Sequence, residues 1–288
     1  MDVASRIERA LNEAVASAEV PGCPPRLAAA MRYAVFPKGA RIRPRLCHSV
    51  SAACGEDHPT ATEAAGAALE LLHCASLVHD DLPCFDAADT RRGRPSVHKA
   101  FGEPLAVLAG DALIVLAFQT LARLQCAPER LALLTLTVGR SVGVPGGIVA
   151  GQAWECESQI DLAHYHRAKT GALFAAATVA GAAAAGADAE PWRMLGEKLG
   201  EAYQVADDIR DAAADANEIG KPVGQDVAFG RPSAVIAYGL DGAVRHLHRL
   251  VRDAIDAMPP CINGAELKSL MLSEARRLVP AKLARFAA

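Results

Sequence analysis

Two groups of carboxylates carry the most chemistry in this chain. The first, His79-Asp80-Asp81-Leu82-Pro83-Cys84-Phe85-Asp86, follows directly on an apolar stretch from Ala64 to Val78 and leads into Asp89 and Arg91-Arg92-Gly93. Six residues at about 100° each set Asp80 and Asp86 far apart on an unbroken helix, so Pro83 is expected to end the helix and fold Asp86 back. The second group, Gln204-Val205-Ala206-Asp207-Asp208-Ile209-Arg210-Asp211, stacks Asp207 and Asp211 at i and i+4 on one helix face. Such like-charged pairs destabilise an isolated helix by roughly a few tenths of a kcal/mol, which calls for a compensating cation. Hard oxygen donors with no His or Cys partner point to Mg²⁺. An ion held by one or two carboxylates completes its shell with water and phosphate oxygens, so the expected ligand is a diphosphate between two acidic walls. Arg91 and Arg92 would supply forked donors to it. Either group alone also reads as a solvated helix end; it is their pairing on mostly apolar helices that argues for a site.

The elements that must position these side chains read as helices. Segments with helical spacing recur around residues 2–18, 25–35, 41–54, 60–82, 105–125, 129–142, 147–157, 161–186, 191–213, 232–257 and 264–286. Pro and Gly punctuate them at Pro21-Gly22, Pro37-Lys38-Gly39, Gly102 to Pro104, Pro145-Gly146 and Pro259-Pro260. No long period-2 run of β-branched residues competes, and the alanine-rich composition with only 5% aromatics favours close helix packing. An all-α chain follows, and without a linker or repeat a single domain over residues 1–288 is expected. Residues 83–104 and 214–232 resist the helical reading; both follow an acidic group, where a scaffold presents chemistry.

Composition narrows the function classes. With 30 Lys+Arg against 33 Asp+Glu, a net charge of −3 and 51% hydrophobic residues, the 288-residue chain reads as a soluble protein with a sizeable core. It carries no electrostatic footprint for nucleic acid or an anionic membrane. The first residues, with Arg6, Glu8, Arg9 and Glu13, lack the character of a signal or transit peptide, so a cytoplasmic location is expected. The longest uncharged run, Gly171 to Ala187, is Ala/Gly-rich and reads as a buried helix, so no transmembrane segment is expected. None of the eight cysteines forms a Cys-x-x-Cys pair, and most read as reduced, buried thiols.

Taken together, Asp-Asp-x4-Asp followed by Arg-Arg-Gly, and Asp-Asp-x-x-Asp about 125 residues later, form a strong signature. The chain resembles the trans-isoprenyl diphosphate synthases, and most closely the geranylgeranyl diphosphate synthases of bacterial carotenoid and photosynthetic pigment pathways. The likeness runs from Lys38-Gly39-Ala40-Arg41-Ile42-Arg43-Pro44 to Gly230-Arg231-Pro232. It implies a single polyprenyl synthetase domain: an isoprenoid-synthase-type bundle of antiparallel helices around a deep central cavity, with the acidic motifs facing each other across its mouth. Asp80, Asp81 and Asp86 then match the first Mg²⁺ motif, and Asp207, Asp208 and Asp211 the second. Arg91 matches the arginine on the allylic diphosphate and Arg92 the one on isopentenyl diphosphate. Lys169, Thr170, Gln204 and Lys221 match positions lining the allylic site; Arg43 and His73 match further isopentenyl contacts. A homodimer is also implied. Three departures stand out. Ala40 occupies the position of a family lysine, which Arg41 or Lys38 would have to replace; Arg231 stands for a frequent lysine, and Glu155 for a frequent aspartate.

The resemblance implies head-to-tail condensation. Diphosphate leaves an allylic substrate, and the double bond of isopentenyl diphosphate attacks the resulting carbocation. Lys169, Thr170 and Gln204 would offer dipoles near that cation, the released diphosphate would take the proton, and His73 and His79 read as donors in preference to general bases. One helical turn rises about 5.4 Å, close to one isoprene unit, so bulk a turn below Asp80 can set product length. Here Ala75 and Ser76 are small, which predicts a C20 product over C15, with Leu72 and Phe118 as candidates for a deeper floor. The alternatives are a farnesyl diphosphate synthase, a terpene cyclase and a noncatalytic synthase subunit; Arg91-Arg92 opposes the cyclase, and intact carboxylates oppose the subunit.

Overall fold

Local signals start the helices. Asp2 accepts a hydrogen bond from the Ser5 amide at 2.8 Å to cap α1 (Val3–Ala16), and prolines occupy the first turn of α2 (Pro25–Val35) and α4 (Pro59–Asp80). Between them lies α3 (Ile42–Ala53). The computed structural model describes residues 1–36, 39–159, 162–213 and 233–278. After α4 comes a two-residue β-ribbon, β1 (Thr90–Arg91) against β2 (Arg94–Pro95), antiparallel with Arg91 opposite Arg94. Helices α5 (Val97–Phe101), α6 (Glu103–Ala122), α7 (Pro128–Val142), α8 (Ile148–Trp154) and α9 (Leu162–His166) follow. A π-helical turn, Arg167–Gly171, leads into α10 (Ala172–Ala184), and a short 3₁₀ turn, Glu190–Trp192, into α11 (Arg193–Ala213). The last described elements are α12 (Ala234–Asp256) and α13 (Gly264–Leu278).

Helices α4 and α10 form the centre. The α4 helix packs on α1, α3, α6 and α10, while α10 also meets α7 and α11. Their burial follows from composition: every residue of α10 from Leu173 to Ala184 is buried, and nearly all are Ala, Gly, Thr or Val. Small side chains let backbones close in, and a Cβ at Gly181 would stand 2.4 Å from the Cys47 carbonyl oxygen of α3. From Leu173 to Ala185 the Gly171–Ala187 stretch is thus core, as expected, while Gly186 is exposed. A smaller apolar cluster joins α11 to α12, with Tyr203 and Ile255 packed against both clusters.

One helix departs from the expectation about membrane spans. At 20 residues, α6 is long and apolar enough to cross a membrane by length and composition. Its Ala106, Ala109, Leu113, Leu116 and Leu121 are buried in the core, while Val107, Leu108 and Val115 are exposed. The periodicity of the sequence otherwise places the helices well. What it misses is the ribbon at 90–95, α5 and the π turn inside the 161–186 segment; Lys38, Lys221 and Arg231 lie outside the described residues.

Candidate active site

The first acidic group closes on itself as Pro83 predicts. Helix α4 ends at Asp80, and the Asp86 amide returns to donate to the Asp80 carbonyl at 2.9 Å, with the Ala88 amide on the Asp81 carbonyl at 3.1 Å. Ala87 absorbs the reversal with a left-handed φ of 49°. Asp80 and Asp86 therefore line one wall of a cavity of about 750 Å³. The opposite wall is α11, where Asp207 and Asp211 share the face that meets the same cavity. The two acidic groups face each other across one space, which is the arrangement their repulsion requires of a cation site.

The neighbouring aspartates act differently. Asp81 is 2% exposed, is absent from the cavity lining, and binds Arg91 with both oxygens, including Nε to Oδ1 at 2.9 Å and a shorter Nη2 contact. It orients the Arg91 guanidinium, which stays 3.8 Å from Asp80. Asp208 borders the cavity at 3% exposure, but one oxygen accepts from Gln204 Nε2 at 2.9 Å and the other from the Ala234 amide at 2.7 Å. Asp81 and Asp208, both expected at the metal motifs, are each engaged in a buried hydrogen-bonded pairing whose loss would leave its partner unsatisfied. Thr170 Oγ1 donates to Gln204 Oε1 at 2.6 Å, so a chain of hydrogen bonds links the π turn, α11 and the start of α12.

The π turn presents Lys169 to the cavity. Its ammonium lies 3.8 Å from Asp80 Oδ1 and bonds Glu155, which also accepts from the Tyr165 hydroxyl at 2.6 Å. Close approach of α8 makes this possible: a Cβ at Gly151 would stand 2.4 Å from the Lys169 backbone nitrogen. Sequence reading named Lys169 and Glu155 but not Tyr165, for which no spacing signal exists.

Three arginines expected at the second substrate separate into two kinds. Arg41 is 6% exposed and fully engaged, by Glu8 at 3.0 Å, Glu70 at 2.8 Å and the Val35 carbonyl at 2.9 Å. Burial opposes its charge, yet Glu70 and Glu8 more than offset this and raise its pKa. Arg41 nevertheless lines the cavity, as does the methyl group of Ala40, where the lysine is missing. Arg43 is also buried, with its guanidinium 4.8 Å above the Phe174 ring and 5.9 Å from Tyr203, but its Nε has no hydrogen-bond partner. Arg92 reaches the cavity from the ribbon with φ 53°, its guanidinium over Gly39; a Cβ there would come within 2.7 Å. Gly39→Ala is expected to leave melting temperature nearly unchanged, because the flexible end of Arg92 can move aside. Affinity for the second substrate expected at Arg92 should fall several-fold, and an affinity equal to wild type would show that Arg92 is not fixed by this contact.

His73 lines the cavity beneath these arginines. Burial, and then the charges of Arg43, Arg92, Arg91 and Arg41, hold it well below the usual imidazole range, so it is neutral at physiological pH. His79 turns away to α6, with Nε2 3.2 Å from the Val107 carbonyl. Neither is placed as a general base. Because a neutral His73 does not change charge between pH 8 and 6, its removal in His73→Gln should leave the pH profile of the isopentenyl KM unaltered across that range. An inflection near pH 6.5 that vanishes in the variant would contradict this.

The chain-length expectation divides between its two residues. Ser76 lies on the cavity wall, its hydroxyl bonded back to the His73 carbonyl at 2.9 Å. Ala75 is 1% exposed within the core and is not on the lining, nor are Leu72 and Phe118.

Whether Mg²⁺ suits the residues present can be tested on Asp80. Its Oδ1 is buried without a hydrogen-bond partner, and burial above all, with Asp86 and Glu155 opposing Lys169 and Arg91, pushes its pKa up to about 6. A buried carboxylate facing further carboxylates is the environment a hard cation relieves.

A helical bundle with opposed aspartate walls and buried arginines around one cavity defines a class of enzyme acting on diphosphates. The chain belongs to the polyprenyl synthetase family, whose model matches residues 24–263. Over 280 residues it is 54% identical to the geranylgeranyl diphosphate synthase of Cereibacter sphaeroides and 52% identical to that of Rhodobacter capsulatus, covering 97% of each chain in both comparisons. A crystal structure of the geranyltransferase from Helicobacter pylori, complexed with magnesium and isoprenyl diphosphate, has a TM-score of 0.79 at 27% identity, over 95% of this chain and 96% of that one.

Proposed function

We infer that this protein condenses isopentenyl diphosphate with an allylic diphosphate, head to tail, and releases geranylgeranyl diphosphate. The observation that carries the reading is the shared cavity: Asp80 and Asp86 on one wall, Asp207 and Asp211 on the other, and Lys169, Arg43 and Arg92 between them. The near-full-length identity to two geranylgeranyl diphosphate synthases supports the C20 product. The whole chain acts as one catalytic domain, since the small cluster joining α11 to α12 shares Tyr203 with the main core.

Asp80, Asp86, Asp207 and Asp211 would hold Mg²⁺, which when bound supplies positive charge to the diphosphate oxygens. Arg91, fixed by Asp81, and Lys169, held by Glu155, bind the allylic diphosphate as its bond to carbon breaks and negative charge builds on it. Thr170 and Gln204, locked to Asp208, present oxygen dipoles to the allylic cation, and the apolar lining of Leu77, Ile148 and Leu173 excludes water that would otherwise trap it. Arg43 and Arg92 orient isopentenyl diphosphate so that its double bond faces the cation, with neutral His73 beside them. The departing diphosphate is the nearest base for the proton lost in the final step. No residue of the chain forms a covalent intermediate.

Val107, Leu108 and Val115 of α6 and Leu133 and Leu136 of α7 are exposed on two helices that touch, and we propose that these apolar residues meet a second copy of the chain in a homodimer. A cytoplasmic role feeding pigment synthesis is consistent with the sequence. Incubation of the purified protein with Mg²⁺, isopentenyl diphosphate and farnesyl diphosphate tests the reading. Formation of the C20 diphosphate supports it, whereas a cyclised hydrocarbon or no turnover would overturn it.

A further inference from the structure

The β-ribbon that carries Arg91 and Arg92 is only two residues on each side, too short to hold its own position. Arg91 is tied down by Asp81, whereas among the described residues Arg92 has no ion pair of that kind and depends on the backbone that bears it. That backbone is fixed from outside the cavity. Across the ribbon, Arg94 lays its guanidinium 3.7 Å from the centre of the Tyr33 ring on α2, and its Nη2 donates to the Tyr33 carbonyl at 3.0 Å and the Phe36 carbonyl at 3.1 Å. These carbonyls belong to the end of α2, where helical acceptors lack internal partners, so the guanidinium also caps the helix. Tyr33 completes the clamp by donating its hydroxyl to the Pro95 carbonyl at 2.8 Å, and its own ring is braced edge-on by Phe101 at 5.2 Å.

The clamp fixes two things at once. One is the ribbon, and so Arg92. The other is the end of α2 at Phe36; Gly39 lies separately beneath the Arg92 guanidinium. We propose that Arg94, with Tyr33, is a positioning residue for isopentenyl diphosphate, acting through Arg92 without touching substrate. This rests on the assignment of Arg92 to that substrate under the proposed function. A planar fork stacked on an aromatic ring and bonded to two carbonyls is not reproduced by an ammonium group, so lysine should not substitute.

The test compares Arg94→Ala, Arg94→Lys, Tyr33→Phe, Arg92→Ala and the double variant Arg92→Ala/Arg94→Ala. It combines steady-state kinetics for each substrate, calorimetric titration of isopentenyl diphosphate, and melting temperatures. Arg94→Ala is expected to raise the isopentenyl KM about tenfold, with the allylic KM and kcat within about threefold of wild type. Arg94→Lys should give most of that loss, and Tyr33→Phe, which keeps the ring but loses the hydroxyl, a smaller one. The double variant should be no worse than Arg92→Ala alone, as for residues acting through one another. An unchanged isopentenyl KM in Arg94→Ala, full rescue by lysine, or equal loss for both substrates would overturn the proposal. The assignment of Arg92 fails separately, if Arg92→Ala itself leaves isopentenyl binding intact. Should the wild type show no chain growth, the calorimetric titration still decides the role of Arg94.

Discussion

Replacing Asp80 by asparagine is expected to slow chain growth by about 10³-fold while making the metal-free protein more stable. The two effects have one cause. Asp80 ends α4 with one oxygen buried and unbonded, facing Asp86 and Glu155, and burial above all pushes its pKa up to about 6. A carboxyl whose folded pKa is raised contributes stability that is complete below its unfolded pKa and is lost as pH rises through 6. At pH 8 the ionised group therefore costs on the order of 2–3 kcal/mol, and an isosteric amide removes the penalty. The same amide cannot supply the charge that gathers a cation and diphosphate. Asp207→Asn should lose a similar share of activity. Thermal denaturation at pH 8 without divalent ions, alongside single-turnover chain growth, checks both signs; a variant that is less stable and still active would show that Asp80 is an ordinary helix end.

The second large effect concerns product length. Ser76 stands one turn below Asp80 and borders the cavity, so a phenyl ring there should close the path after about one isoprene unit fewer. Ser76→Phe is expected to accumulate the C15 diphosphate and to extend farnesyl diphosphate at least tenfold more slowly, with geranyl diphosphate used nearly as well as by wild type. Ala75→Tyr is a different experiment. Its ring must enter packed core at a site 1% exposed, at a cost of about 1–3 kcal/mol, and it shortens the product only if the ring is displaced toward the tail. Chromatography of the dephosphorylated products distinguishes the two. An unaltered C20 product from Ser76→Phe would move the floor elsewhere.

Much of this architecture is legible in the sequence because helical periodicity repeats end to end and proline and glycine mark the joints. The ribbon at 90–95 escapes that reading, since two residues per strand carry no period, and the π turn at 167–171 differs from an α-helix by a hydrogen-bond register that side chains do not encode. Within the site, the pattern identifies the acidic groups but not which of their carboxylates are held by neighbouring groups. Asp207 and Asp211 share a face by their spacing, and the same spacing puts Asp208 about 100° away, toward Gln204 and α12. Asp81 differs from Asp80 only by one step around the end of α4, and what decides its role is Arg91, ten residues on and brought back by a turn. Arg41 and Arg43 are alike in type and spacing; the buried Glu70 that captures the first and the aromatic rings that receive the second come from other helices.

The most direct test of opposed aspartate walls gathering metal about one diphosphate is a crystal soaked with Mn²⁺ and a non-reactive allylic thiolodiphosphate, phased on the anomalous signal of manganese. The account predicts metal peaks about 2.0–2.2 Å from oxygens of Asp80 and Asp86 on one side and of Asp207 on the other, all sharing the same diphosphate. Metal bound to one wall alone, or a diphosphate seated away from both, would contradict it.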